Sequence, residues 1–198
     1  MAIGKMNKRN RSIHEILVLM IVGVVLGGTT DAQRPNKPLD RLLEDHWAYS
    51  LSVSPVFAST LGDRGNNDRL GDATIVSIEK HKAQLQSFIA RAKRIDTTTT
   101  LDRINQSIFT RLLNDELQEI EFDTHLIPIT NRWGFHVSFV ELPNRHVFES
   151  VYDYRDYIAR LKDYGRYNAE NIGLMREGIK RGMVLPAVVL EGYNDTIE

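Results

Sequence analysis

Apolar residues in this chain recur mostly at three- and four-residue steps, the spacing that puts them on one face of a helix. Leu39, Leu42, Leu43, Trp47 and Leu51 form the first such stripe, and Pro55 ends it, because the residue before a proline is pushed out of the helical region. Leu61 to Asp72 holds Gly62, Gly65, Asn66, Asn67 and Gly71 and reads as a loop. Positions 78, 81, 85, 88, 92 and 95 predict a helix over Thr74 to Ile95. The threonine run up to Thr100 interrupts it, with Thr100 as the expected cap of the next helix. Leu101, Ile104, Ile108, Leu112, Leu113, Leu117 and Ile120 give that second long helix, and so short a connection makes the pair antiparallel.

The pattern then changes. Pro128, Gly134 and Pro143 are spaced too closely for another long helix, so residues 122–149 read as irregular, with Phe135, Val137, Phe139 and Leu142 alternating as a short extended piece. Ser150 and Asp153 have capping-box spacing at the start of a helix whose apolar face is Tyr154, Tyr157, Ile158 and Leu161. Gly165 is a candidate kink or end, after which Ile172, Met175, Ile179 and Met183 restore the period. Gly182 is a C-cap and Pro186 the opening of a last helix bearing Val189, Tyr193 and Ile197. No stop signal follows that stripe before Glu198, so the natural sequence is expected to continue. The fold class is therefore mainly α: a bundle-like array of long antiparallel helices with one irregular segment, forming part of a larger fold.

The first residues do not belong to that array. Lys5, Lys8, Arg9 and Arg11 precede an apolar run from Ile16 to Leu26, the layout of a secretory signal peptide. Thr30-Asp31-Ala32 places cleavage before Gln33. The run falls short of the about 20 apolar residues that span a bilayer, so no stable membrane span is expected after cleavage. The expected organisation is a signal peptide at 1–32, a linker at 33–38 and a helical segment at 39–198, exported to the periplasm or the extracellular space.

Composition removes function classes rather than adding one. With 25 Lys+Arg against 26 Asp+Glu and a formal net charge of -1, no global basic field recruits nucleic acid. The absence of cysteine excludes disulfides, thiolate metal sites and a thiol nucleophile. His14-Glu15 begins like an HExxH zinc motif, but Val18 stands where its second histidine belongs. His125, His136 and His146 are 11 and 10 residues apart, unlike a compact helical ligand set. Asp63, Asp68 and Asp72 lack the calcium-loop spacing and fit a solvated turn. Neither a G-x-S-x-G elbow nor a phosphate-binding P-loop pattern is present. Lys80, Lys82, Arg91, Lys93 and Arg94 are balanced by Asp115, Glu116, Glu119 and Glu121 of the next helix, as on a solvated bundle face. Tyr152, Tyr154, Tyr157, Tyr164 and Tyr167 would suit either a core or a groove wall for peptide or carbohydrate.

Three blocks carry a family resemblance. Ser54-Pro55-Val56-Phe57-Ala58-Ser59-Thr60-Leu61-Gly62-Asp63 opens it, followed by His125-Leu126-Ile127-Pro128-Ile129 with Trp133-Gly134-Phe135-His136. The third runs from Asp153 to Leu161 and continues through Met175 to Gly182 and Pro186. In order and spacing they resemble the amino-terminal part of the bacterial family called domain of unknown function 885. The resemblance implies a mainly helical zinc-metallopeptidase-like protein, with an HExxH helix and a downstream glutamate binding the metal and a peptide as substrate. No HExxH exists between Gln33 and Glu198, so no catalytic or metal-binding residue and no cofactor is expected within this chain, and zinc belongs to the complete protein. The resemblance places this segment beside a cleft, with Trp133, Gly134, Phe135, His136, Tyr154 and Tyr157 nearest to it. The competing expectation is a non-enzymatic secreted helical module that binds a peptide or protein partner.

Overall fold

The computed structural model describes residues 36–130 and 133–191, all within one unit, Pro35–Glu198. The signal peptide expected at 1–32 lies outside the described residues, as do Tyr193 and Ile197. Helix α1 spans Lys37–Val53 and starts within the expected linker, because the Asn36 side chain accepts from the Leu39 N–H at 3.2 Å and Pro38 occupies the first turn. Pro55 ends it and opens α2, Pro55–Thr60. Helix α3, Ile75–Lys93, begins at a reciprocal cap between Thr74 and Ser77. Helix α4, Thr100–Glu121, is capped not by Thr100 but by Thr99, whose hydroxyl accepts from the Asp102 N–H at 3.0 Å.

Helices α3 and α4 run antiparallel. Gln106 donates to the carbonyls of Ala92 and Ile95 near one end, while His81 and Lys82 pair with Glu116 and Glu121 near the other. Lys82 and Glu121 join the basic and acidic runs at one point, whereas Arg91 of the basic run pairs with Asp45 of α1. The core between α1, α3 and α4 is Leu42, Leu85, Phe88, Ile89, Ala92, Phe109 and Leu113; each large side chain in it contributes about 1.5–3 kcal/mol of burial. Only part of the α4 stripe read from sequence points inward. Leu101, Ile104, Ile108 and Leu112 lie on the solvent side, Leu112 at 62% exposure.

Residues 122–149 contain more helix than expected. After a 3-10 turn at Thr124–Leu126 come α5, Phe135–Val140, and a second 3-10 turn at Leu142–Arg145. The extended reading of this piece is incorrect: Phe135, Phe139 and Leu142 are spaced as one helical face and turn inward, while Val137 points outward. An isolated bridge between Ile129 and Gly134 is the one extended pairing among the described residues.

Helix α6 runs unbroken from Val151 to Arg181, passing through Gly165 without ending. The 31-residue helix accommodates Gly165, Gly173 and Gly178, because each costs only about 1 kcal/mol. Its start is the expected box, in which Asp153 accepts from the Ser150 N–H at 2.7 Å and Ser150 Oγ accepts from the Asp153 N–H. Its end is Gly182 in the left-handed region at φ +73°. The expected apolar face is the wrong side. Tyr154 is 55% and Ile158 50% exposed, whereas Asp153, Arg160 and Asn171 are buried with Leu174 and Gly178. Pro186 precedes a 3-10 turn, Ala187–Leu190.

Candidate functional site

The polar side of α6 holds the loop between α2 and α3. Loop residues 61–73 have little regular structure of their own, and buried backbone groups must find partners somewhere. Arg160, 0% exposed, supplies two of them. Its Nε donates to the Arg69 carbonyl at 2.9 Å and one Nη donates to the Asn66 carbonyl at 2.8 Å and to Ser59 Oγ at 2.9 Å. Ser59 in turn donates to buried Asn67. The other Nη faces His146 Nδ1 at 3.4 Å, while His146 Nε2 donates to the Asp153 carbonyl at 2.8 Å. Those two contacts fix the imidazole as the Nε2–H tautomer.

Three further α6 side chains extend the clasp at helical spacing. Asp163 accepts from the Leu70 N–H and Glu170 from the Ala73 N–H, both at 2.8 Å. Arg166 lies between them, bonded to both carboxylates and to the Leu70 and Gly71 carbonyls. The Arg166 hydrogen bond holds Asp163 below the usual carboxylate range, and the same bond pushes Arg166 further up. Burial pulls Arg160 down, partly offset by Asp68 and Asp156. At Asp153 burial pushes the carboxyl up, but bonds from Ser150 and the Glu149 N–H, with the Arg64 charge, outweigh it and leave it low. Two aspartates of the loop are engaged within the protein: Asp63 caps the Gly65 N–H and Asp72 pairs with Arg166.

This arrangement joins two of the three sequence blocks, since Pro55 and Ser59 come from the first and Asp153 and Arg160 from the third. Every polar group in it already has a protein partner. It positions a loop and contains no nucleophile–base pair.

The expected cleft residues separate into two aromatic groups. Phe135 packs edge-on against Tyr167 and His136, and Phe139 stacks on Tyr164 at 3.8 Å. Tyr154 and Tyr157 instead meet Phe148, and Tyr157 also meets His146. Gly134 is buried and Trp133 57% exposed. Tyr157 and Tyr164 are seven residues apart on one helix, about 10 Å along its axis. The three histidines also part company: His146 is buried under α6, and His125 is half-buried beside Asp123. Among the described residues, no three His, Asp or Glu side chains are grouped to hold a metal ion.

Two features escaped the sequence reading. Tyr49 Oη bonds His81 Nδ1 at 2.8 Å and His81 Nε2 bonds Glu116 Oε1 at 2.8 Å, a chain joining α1, α3 and α4. The His81 bond lowers Glu116, and burial raises Tyr49 and lowers neighbouring His46. Such a chain can relay a proton, but it lines neither the cavity between α1 and α3 nor the groove at the end of α6. An apolar groove of about 190 Å³ lies between Leu126–Ile129 and the end of α6 at Met175, Ile179 and Met183. The sequence held a trace of it in the paired apolar run 126–129 and the methionines spaced along α6.

No described helix is long and apolar enough to cross a membrane. Residues 55–198 match the family model described as "Bacterial protein of unknown function (DUF885)". No curated protein matches the chain.

Proposed function

The chain belongs to the DUF885 family of bacterial proteins, and from that membership we propose that it forms the helical amino-terminal segment of an exported zinc-metallopeptidase-like protein that hydrolyses peptides. In this reading the segment is scaffold. The family blocks converge on Arg160 and Asp153, whose hydrogen bonds are all spent on holding the α2–α3 loop and the start of α6. The described residues do not fit a zinc ion, so no step of hydrolysis is assigned to them. Metal and general base belong to an HExxH region outside residues 33–198.

The observation that carries the reading is the inverted helix α6. A surface helix ordinarily turns its apolar stripe to the core, yet in the first half of α6 the buried residues are Asp153 and Arg160, and Val151, Tyr154, Ile158 and Leu161 face outward as a continuous stripe. A helix with a satisfied polar side and a bare apolar side suits a position between two layers of protein. Reading the source frame past codon 198 tests this. An HExxH with a downstream glutamate is expected, and an immediate stop would overturn it.

The apolar groove supports a second reading, a non-enzymatic exported module that binds a peptide. The two diverge on metal: the module binds peptide without zinc and without turnover.

A further inference from the structure

A second cavity of the described structure lies away from the Arg160 clasp. It measures about 410 Å³ and opens between the start of α1 and the end of α3, within the size range of small-molecule sites. Its floor is apolar, made by Pro38, buried Leu42 and half-buried Ile95. Its rim is cationic: Lys37, Arg41, Arg91 and Arg94. No carboxylate lines it. Arg91 is neutralised by Asp45, whereas Lys37, Arg41 and Arg94 have no ion pair among the described residues.

The position of these charges demands a reason. Arg91 and Arg94 sit at the carboxyl end of α3, where the helix dipole favours cations. Lys37 sits in the first turn of α1, where the dipole disfavours it. The fold also brings all four to one opening, so the three without an ion pair repel one another. An anion seated among them would relieve both penalties, and guanidinium groups bind carboxylate or phosphate oxygens in pairs. A purely inorganic anion leaves Ile95 and Pro38 wet. A molecule with an anionic head and a short hydrocarbon tail satisfies head and floor together.

We propose that this cavity binds a free anionic amphiphile, a carboxylate on a medium-length alkyl chain, with Arg41 and Arg94 holding the head and Pro38 and Ile95 meeting the tail. The site is independent of the peptidase reading, and its test does not depend on catalysis.

The test is calorimetric titration of the full chain with decanoate below its micelle-forming concentration. Saturable binding at one site is expected, weakening with added salt. The double substitution Arg41→Gln with Arg94→Gln should weaken it by about tenfold or more, the loss of one to two charge-assisted hydrogen bonds. Both side chains are exposed, so the fold should survive, as circular dichroism will check; the single variants, each expected to weaken binding measurably, give the same answer should the double variant misfold. Absence of decanoate binding, or equal binding by the variants, overturns the proposal. So does equal affinity for inorganic phosphate, which would make the floor irrelevant, or for decyltrimethylammonium, which would make the charge irrelevant. Binding to phosphatidylglycerol vesicles without binding to decanoate would also overturn it, assigning the patch to a membrane surface instead.

Discussion

Replacing Arg160 with methionine keeps most of the side-chain volume and removes the guanidinium. Three short hydrogen bonds are lost, to the Arg69 and Asn66 carbonyls and to Ser59 Oγ, at 2.8–2.9 Å. A hydrogen bond to a charged group is worth about 1.5–3 kcal/mol, so the three sum to roughly 5–9 kcal/mol. Against this stands the desolvation of the guanidinium, several kcal/mol, which the variant no longer suffers. The difference, about 2–5 kcal/mol, is a large part of the roughly 5–15 kcal/mol that stabilises a domain. Urea unfolding followed by circular dichroism reads it directly. With a slope of about 2 kcal/mol per molar urea, the midpoint should fall by about 1–2.5 M. Limited proteolysis should show new cleavage within residues 61–73, the loop that loses its partners. A midpoint within about 0.3 M of the parent, with no new cleavage, would refute the view that Arg160 holds this loop.

Other perturbations separate the parts of the fold. Gly178→Ala puts a Cβ at 2.8 Å from the Met183 carbonyl and 3.0 Å from the Leu126 carbonyl; it should cost about 1–3 kcal/mol in thermal or urea unfolding. Gly165→Ala meets nothing within 4 Å in mid-helix and should stabilise by about 0.5–1 kcal/mol in the same assay. Loss of the α6 cap in Ser150→Ala should cost about 1 kcal/mol. The pH dependence has two windows. Burial holds His46 and His125 below the ordinary histidine value, so the unfolded chain takes up protons first and stability declines as pH falls below about 6.5. Glu116 and Asp163 are also lowered, chiefly by hydrogen bonds from His81 and Arg166, so a second loss begins below about 4.5. Urea midpoints across this range check both, and His125→Gln should reduce the first decline.

The helices were legible because three- and four-residue spacing survives whatever packs on it. Which side of a helix turns inward was less legible. Tyr154, Ile158 and Leu161 form a good apolar stripe, and nothing local reveals that Asp153, Arg160 and Asn171 opposite them are the buried set. The clue lay in Arg160, Asp163, Arg166 and Glu170, charged residues at helical spacing that meet the glycine-rich loop at Leu61–Asp72. That loop reads as solvated because its own residues are turn formers; its backbone partners are about 90 residues away. Helix α5 was missed because Phe135, Val137 and Phe139 alternate, and only Leu142 breaks the tie toward a helical period. The cationic cavity needs Lys37 and Arg41 beside Arg91 and Arg94, and no spacing rule links those pairs.

The central functional claim separates scaffold from chemistry, and peptide hydrolysis tests it most directly. The 198-residue chain and the protein made from the complete source reading frame would each be incubated with zinc and a peptide library, with and without a chelator. Cleavage by the complete protein alone, abolished by the chelator, is the expected result. Zinc-dependent cleavage by the 198-residue chain, or none by the complete protein, would contradict it.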